Sequence, residues 1–281
     1  MSFKLFDIKR DWKLLKGIGI VIILIASLII IKDEIVWILD SGEDYSDGYS
    51  YNEESFENEG CNVAKVNLHG FLDVDVYEEG DVSSDSVIQM VEKAEQSENI
   101  KAIILDIDSS GGTAFAGEEV SNSLSRTTKP TIALIRTMGL SSAYWSVIGA
   151  DIIFASVNSD VGGISVTSSY VDNVKKNQMD GLNYNLISSG KYKDMLNPDK
   201  YLTYEERALA QRDVQIVHDN FVKAVAEKRN LDIEKVKALA DGSSMAGQMA
   251  LENGLVDRIG DMFAVKQYLK EILGEEVVIC Q

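Results

Sequence analysis

Two adjacent serines, Ser141 and Ser142, follow the apolar run TIALI within a stretch of small residues, TMGLSSAYW. A serine hydroxyl exposed where a buried strand runs into a helix, with helix N–H groups nearby, can act as a nucleophile beside an oxyanion hole. Taken alone, such a serine is better explained as a helix N-cap, where Ser is favoured. SSGG at 109–112 repeats the arrangement. Its glycines let the backbone bend and present N–H groups to an anion, although in isolation it reads as a helix-opening turn. A nucleophilic serine needs a base, and the chain has two histidines. His69 sits at a strand end and His218 inside a long amphipathic helix, and neither has the context of a Ser-His-Asp triad. A lysine can serve instead when apolar burial lowers its pKa from about 10.4 by several units. Lys191 and Lys193, in SSGKYKDMLNP, lie beside small residues, but spacing alone does not single out one lysine.

The elements that must position these residues alternate. Strands are expected at 62–68, ended by His69 and Gly70, then at 101–108, 131–135 and 151–156, and LNYNLIS at 182–188 is strand-like. Helices are expected over 83–97, 115–124, 204–229, 233–239, 245–252 and 262–273, where apolar residues recur at a 3.6-residue period. Beta-branched runs alternating with helices give an α/β fold with mostly buried strands. Periodicity does not separate a doubly wound sheet from a crotonase-like spiral.

Residues 17–31 are uncharged and apolar, and with Leu14, Leu15 and a snorkelling Lys16 they suffice for a hydrocarbon core of roughly 30 Å. Trp12 and Trp37 bracket the run. Lys4, Lys9, Arg10 and Lys13 precede it and Asp33, Glu34 and Asp40 follow, so the positive-inside rule puts the tail in the cytoplasm and the bulk of the chain outside. No small-x-small site follows the run, which favours an uncleaved anchor over a signal peptide. The expected organisation is a cytoplasmic tail at 1–13, a transmembrane anchor at 14–32, an acidic flexible spacer at 33–60 and a domain at 61–281. The net charge of -18 excludes non-specific nucleic-acid binding. Cys61 and Cys280 lack metal-site spacing, so no structural zinc is expected, and whether they pair is not fixed by sequence.

Several segments together resemble the signal peptide peptidase A (SppA) family of membrane-anchored Ser-Lys serine peptidases. The family's Asn-Ser-Pro-Gly-Gly turn is matched by DSSGG at 108–112, its Ala-Ser-Gly-Gly-Tyr-Tyr by LSSAYW ahead of Ala150 and Asp151, and its Thr-Gly-Ser-Ile-Gly-Val by VGGISV at 161–166. Its Gly-x-x-Lys is matched by GKYK at 190–193, and its Asn-Gly-Leu-Val-Asp signature by residues 253–257. Each motif is modest, but five in order over about residues 62–273 are specific. The resemblance implies Ser141 as nucleophile, Lys193 as general base, and the N–H groups of Gly112 or Gly111 and of Ser142 as oxyanion donors. It implies a Clp protease/crotonase-type spiral of β-β-α units with a helical C-terminal extension, no cofactor and no metal. It also implies a homo-oligomeric ring in which serine and lysine can come from neighbouring protomers.

Three departures stand out. Ser142 and Ala143 replace Gly-Gly, Ser110 replaces proline, and Gly163 replaces a serine that supports the family's lysine, with Ser165 two residues on. The expected function is hydrolysis of peptides, remnant signal peptides foremost, at the extracytoplasmic side of the cell membrane. The alternatives are a catalytically inactive membrane scaffold on the same fold and, more weakly, an acyl-CoA enzyme, which the acidic domain fits poorly.

Overall fold

A computed structural model describes residues 60–280. The expected tail, anchor and most of the spacer lie outside the described residues. Among those described, no helix is long and apolar enough to cross a membrane.

The core is a mostly parallel sheet built on three long strands, β1 (Val63–Asp73), β3 (Ala102–Gly112) and β4 (Thr131–Leu140). The short strands β2 (Val82–Ser83), β5 (Ile152–Ala155) and β8 (Arg258–Ile259) complete the order β2-β1-β3-β4-β5-β8. β9 (Ile279–Cys280) adds to the start of β1, and β6 (Asp160–Gly162) pairs with the far end of β4. β7 (Ser244–Ala246) then pairs antiparallel with β6. The mixed α/β class read from the sequence is therefore observed.

Successive side chains on a strand face opposite sides. Val66, Leu68, Leu105, Ile107, Ala133 and Ile135 point into the main core, against α1 (Ser84–Gln96), α2 (Ala114–Leu124) and α3 (Ser142–Val147). Val63, Ile104, Leu134 and Phe154 point the other way, onto Val265 and Leu269 of α8 (Met262–Leu273). Burial on both faces explains why these strands read as continuous apolar runs. The short helix α4 (Val174–Met179) follows β6. Then comes the long helix α5 (Tyr204–Arg229), which opens on a capping box between Thr203 and Glu206 and ends on Asn230 in the left-handed conformation. α6 (Ile233–Leu239) and α7 (Gly247–Asn253) lead back to the sheet.

The structure corrects several sequence expectations. β1, β3 and β4 continue well past their apolar runs, so SSGG is the end of β3 and not a turn. The polar ends of these strands pair with one another, which apolar periodicity does not register. The register slips between His69 and Phe71 and between Ile107 and Ser109. Against β3, the four-residue step from Ile135 to Gly139 on β4 spans only two residues, a bulge that re-aims the strand toward Ser141. The 182–188 segment is not a strand: its alternating residues meet no sheet edge and lie exposed. The expected 245–252 helix divides into β7 and α7.

Cys61 and Cys280 form a disulfide, with their Cα atoms 5.2 Å apart. The pairing of Ala64 with Cys280 holds the strands in register beside it.

Candidate active site

Ser141 stands between the end of β4 and the start of α3, at φ 52° and ψ -125°. A non-glycine residue with this backbone stores strain of about 1–3 kcal/mol, which the surrounding structure must hold. Here the Ser141 N–H donates to the Gly162 carbonyl at 2.8 Å, and its own carbonyl accepts from the Trp145 N–H at 3.0 Å. The Ser141 side chain makes no capping hydrogen bond to α3. The hydroxyl is thus not spent as the helix N-cap that the isolated motif suggested.

Gly111 and Gly112 reach the same place from the end of β3. A β-carbon on Gly111, whose φ is +112°, would lie 2.7 Å from the Ser141 β-carbon and 3.3 Å from its Oγ. A β-carbon on Gly112 would lie 1.7 Å from the Leu72 carbonyl oxygen. Both glycines are therefore required by close approach. Their N–H groups are not equivalent, however. That of Gly111 donates to Ser109 Oγ at 3.1 Å, and that of Thr113 donates to the Leu72 carbonyl at 2.9 Å. Successive N–H groups of a strand point to opposite edges, so with Thr113 turned to β1 the Gly112 N–H turns to the β4 edge. Of the two expected donors, Gly112 is the better placed.

Gly112, Ser141 and Ser142 line one cavity of about 160 Å³, with Trp145 of α3 and Phe221 of α5. These two rings stack at 4.5 Å, 6° from parallel. Ser165 and Thr167 also line the same cavity. Gly163 stands at φ +61° with no side chain to offer. Sequence reasoning missed Trp145 and Phe221. The i, i+3 spacing from Ser142 could have found Trp145. Phe221 arrives only through the packing of a helix 80 residues downstream.

Lys193 is not brought to this cavity within the chain. It lies exposed on a turn where its N–H donates to the Gly190 carbonyl at 3.2 Å. Next to it, Asp194 accepts from Tyr184 Oη at 2.5 Å and from Asn197 Nδ2 at 2.9 Å. These bonds hold the Asp194 carboxyl below its ordinary range and push the Tyr184 phenol up to about 12. Lys191 pairs with Glu205 at 2.7 Å, which raises its pKa and makes it a poor base. Neither histidine lines the cavity, and His69 instead stands 3.9 Å from Asp106 beside Lys65 and Arg136. Among the described residues, no group of three His, Cys, Asp or Glu could hold a metal ion.

The 253–257 signature is structural. Gly254 closes α7 in the left-handed conformation, and the Leu255 carbonyl accepts from the Tyr144 hydroxyl at 2.8 Å. Asp257 accepts from Arg229 Nη1 and Nη2, at 3.0 and 2.5 Å, and from the Ile153 N–H at 2.7 Å. This clamp ties the end of α5 to β5 and, through Tyr144, to the helix that follows Ser141. Burial pushes the Tyr144 phenol far up, so it stays a neutral donor.

A strained serine at a strand–helix junction, lining a cavity and closely approached by two glycines of a neighbouring strand, is an arrangement suited to nucleophilic attack on a carbonyl. The chain belongs to peptidase family S49, whose model, described as "Peptidase family S49", matches residues 123–275. It is similar to a provisionally named signal peptide peptidase SppA of Enterococcus faecium, 28% identical over 74% of this chain and 63% of that protein. Protease 4 of Haemophilus influenzae is 28% identical over 70% of this chain and 32% of its own length. The chloroplastic serine protease SPPA of Arabidopsis thaliana is 28% identical over 64% and 27%. The chain thus spans less than two thirds of the length of each. Among solved structures, a ClpP1 mutant from Listeria monocytogenes overlays with a TM-score of 0.48 at 13% identity, over 70% of this chain and 91% of that one.

Proposed function

We propose that this chain is a membrane-anchored serine peptidase that cleaves peptides, remnant signal peptides foremost, outside the cytoplasm with a Ser-Lys dyad. The carrying observation is Ser141, strained, uncapped and lining a cavity with Gly112 and Ser142, in a chain of family S49. Ser141 Oγ attacks the scissile carbonyl carbon and passes its proton to the Lys193 amine, which then protonates the leaving amine. The N–H groups of Gly112 and Ser142 hold the oxyanion, and loss of one such donor typically costs about 2.7–4 kcal/mol.

Lys193 comes from a neighbouring protomer in this reading, since the cavity of its own chain lacks it. The segment that carries it also exposes Val171, Met179, Leu182, Ile187 and Tyr204, apolar surface suited to burial against a second copy. Assembly as a ring of spiral α/β protomers fits this. The disulfide supports an extracytoplasmic setting, because such bonds persist in oxidising compartments. Anchoring rests on the 14–32 run.

The test is labelling of the full chain by a fluorophosphonate probe, with oligomer size measured on the same samples. Wild type should label, and Ser141→Ala and Lys193→Met should not. Full labelling of both variants would show the dyad to be wrong. Gly163 and the Ser142-Ala143 pair favour the second reading, an inactive scaffold, and absent labelling in assembled wild type would select it.

A further inference from the structure

Beside the Ser141 site lies an acidic surface that the proposed reaction does not use. From Asp73 to Asp85 the chain holds six acids, and between Gly70 and Glu92 it holds no Lys, Arg or His. Residues 74–81 form the loop between β1 and β2, and local bonds fix it. Asp73 Oδ1 accepts from the Val74 N–H at 2.8 Å and from Thr113 Oγ1 at 3.1 Å. The Glu78 N–H donates to Asp81 Oδ2 at 3.1 Å, and the Asp81 N–H donates back to the Glu78 carbonyl at 3.2 Å. Gly80 packs so tightly on Gly70 that a β-carbon on Gly70 would lie 1.7 Å from the Gly80 carbonyl oxygen. A loop fixed in this way presents Asp75, Glu78 and Glu79 to solvent, and α2 adds Glu118. Among the described residues, no cation pairs with any of these carboxylates.

Aromatic side chains flank the loop. Phe71 is 49% exposed, Tyr77 73% and Phe115 61%, and uncovered rings grouped in this way mark an interaction surface. Their distance from the nucleophile follows from strand pairing. Phe71 pairs with Gly111, and a β-carbon on Gly111 would lie 2.7 Å from that of Ser141. Phe71 is therefore about two strand spacings, roughly 10 Å, from Ser141. Phe115 follows Ala114, which lines the Ser141 cavity, and the Thr113 bond to Asp73 brings the start of α2 against the start of the loop. An extended peptide advances about 3.3 Å per residue, so a chain cut at Ser141 reaches Phe71 about three residues from its scissile bond and the loop a few residues further.

Charge selects the occupant. Unpaired carboxylates attract cations, and aromatic faces take both apolar side chains and the cations beside them. A second copy fits poorly, since the chain's net charge is -18 and its 170–200 segment carries five lysines against four aspartates. We propose that the 74–81 loop, with Phe71 and Phe115, docks a peptide segment in which Lys or Arg adjoins apolar residues, several residues before the scissile bond. This role rests on the peptidase reading and narrows its substrate class: a signal peptide joins a basic stretch to an apolar run of about 7–15 residues.

The experiment uses the purified full chain and an apolar peptide whose cleavage point is mapped by mass spectrometry. A run of lysines, or of glutamines in the control peptide, is placed about four to six residues before the cut. At low ionic strength the lysine peptide should be cleaved with a kcat/KM roughly tenfold higher. The gain should lie in KM, because the contact is the same in ground and transition states. It should vanish in roughly 1 M salt, where the screening length is about 3 Å. Asp75→Asn combined with Glu78→Gln and Glu79→Gln should bring the ratio to about one. A wild-type ratio near one at low salt, or a lysine preference retained in the combined variant, overturns the proposal. The wild-type ratio and its salt dependence decide even if the variant fails to fold. Loss of assembly in the variant, with no lysine preference in wild type, would make the surface an interface between copies and overturn the proposal too. Fluorophosphonate labelling of Ser141 runs in parallel. Labelling and cleavage without lysine preference sink this proposal alone, whereas no labelling and no cleavage of either peptide sink the peptidase reading with it.

Discussion

The proposed nucleophile is held in place by residues chosen for what they lack. Gly111 sits at φ +112°, and a β-carbon there would press within 2.7 Å of the Ser141 β-carbon. Gly111→Ala should therefore combine backbone strain of about 1–3 kcal/mol with displacement of Ser141. The expected outcome is a lower Tm and at least roughly a tenfold slower reaction of Ser141 with a fluorophosphonate, since small misplacements of reacting groups cost large rate factors. Unchanged labelling kinetics would mean that Ser141 tolerates the shift and that its position is not set by Gly111. The serine and the two glycines stood out in sequence as small residues at strand ends, but alone they read as a cap and a turn, and their proposed roles came from the ordered family motifs. The choice between the glycine donors was not legible. It depends on which strand edge each N–H faces, and on Ser109 engaging one of them. Phe221 was illegible for another reason: nothing in its own helix marks which apolar residue meets a cavity formed by α3 and β3.

Among the elements, α5 was read from its period with the bounds that the structure gives, and its capping box explains the sharp start. Strand ends were read short because they lose the apolar pattern while keeping their partners, and 182–188 was misread because alternation without a neighbouring edge makes no strand. The start of α5 makes a pH-dependent contribution. Glu206 accepts from Lys200 at 2.5 Å and from the Thr203 N–H and hydroxyl at 2.9 Å each. The Lys200 bond foremost lowers its pKa to about 2. In the unfolded chain the value is about 4.3, so the unfolded state binds the proton more readily and stability rises with pH. The contribution is complete above about pH 4.3 and disappears as pH falls toward about 2. Glu206→Gln keeps the box's hydrogen-bonding shape without the charge. It should flatten the acid-unfolding profile in that window, with earlier exchange of the Thr203 and Glu206 amides as the local readout. The disulfide acts across the whole domain, at a sequence separation of 219 residues. Reduction, or Cys61→Ala with Cys280→Ala, should lower unfolding free energy by about 2–5 kcal/mol in denaturant titrations, and no change would mean that the ends of β1 and β9 are held by their other bonds alone.

For the whole molecule, the decisive feature is the separation of the proposed serine and base. Ser141 lies in the packed body of the domain, while Lys193 projects on an exposed segment whose turn is organised by its own neighbours, Tyr184, Asp194 and Asn197. A segment ordered by local bonds and carrying uncovered apolar residues can present a lysine to a second copy without rearranging. A head-to-tail contact of this kind closes into a ring when the rotation permits. Complementation distinguishes this from a dyad within one chain. Ser141→Ala protomers keep the lysine, Lys193→Met protomers keep the serine, and each alone should be inactive. Co-assembled at equal amounts, random neighbours unite an intact serine with an intact lysine at about one site in four. Peptide turnover in the mixture should then recover to about a quarter of wild type, and rise as dissociated protomers are allowed to exchange. If serine and lysine belonged to one chain, every site in the mixture would lack one of them, and fully assembled mixed oligomers would stay inactive.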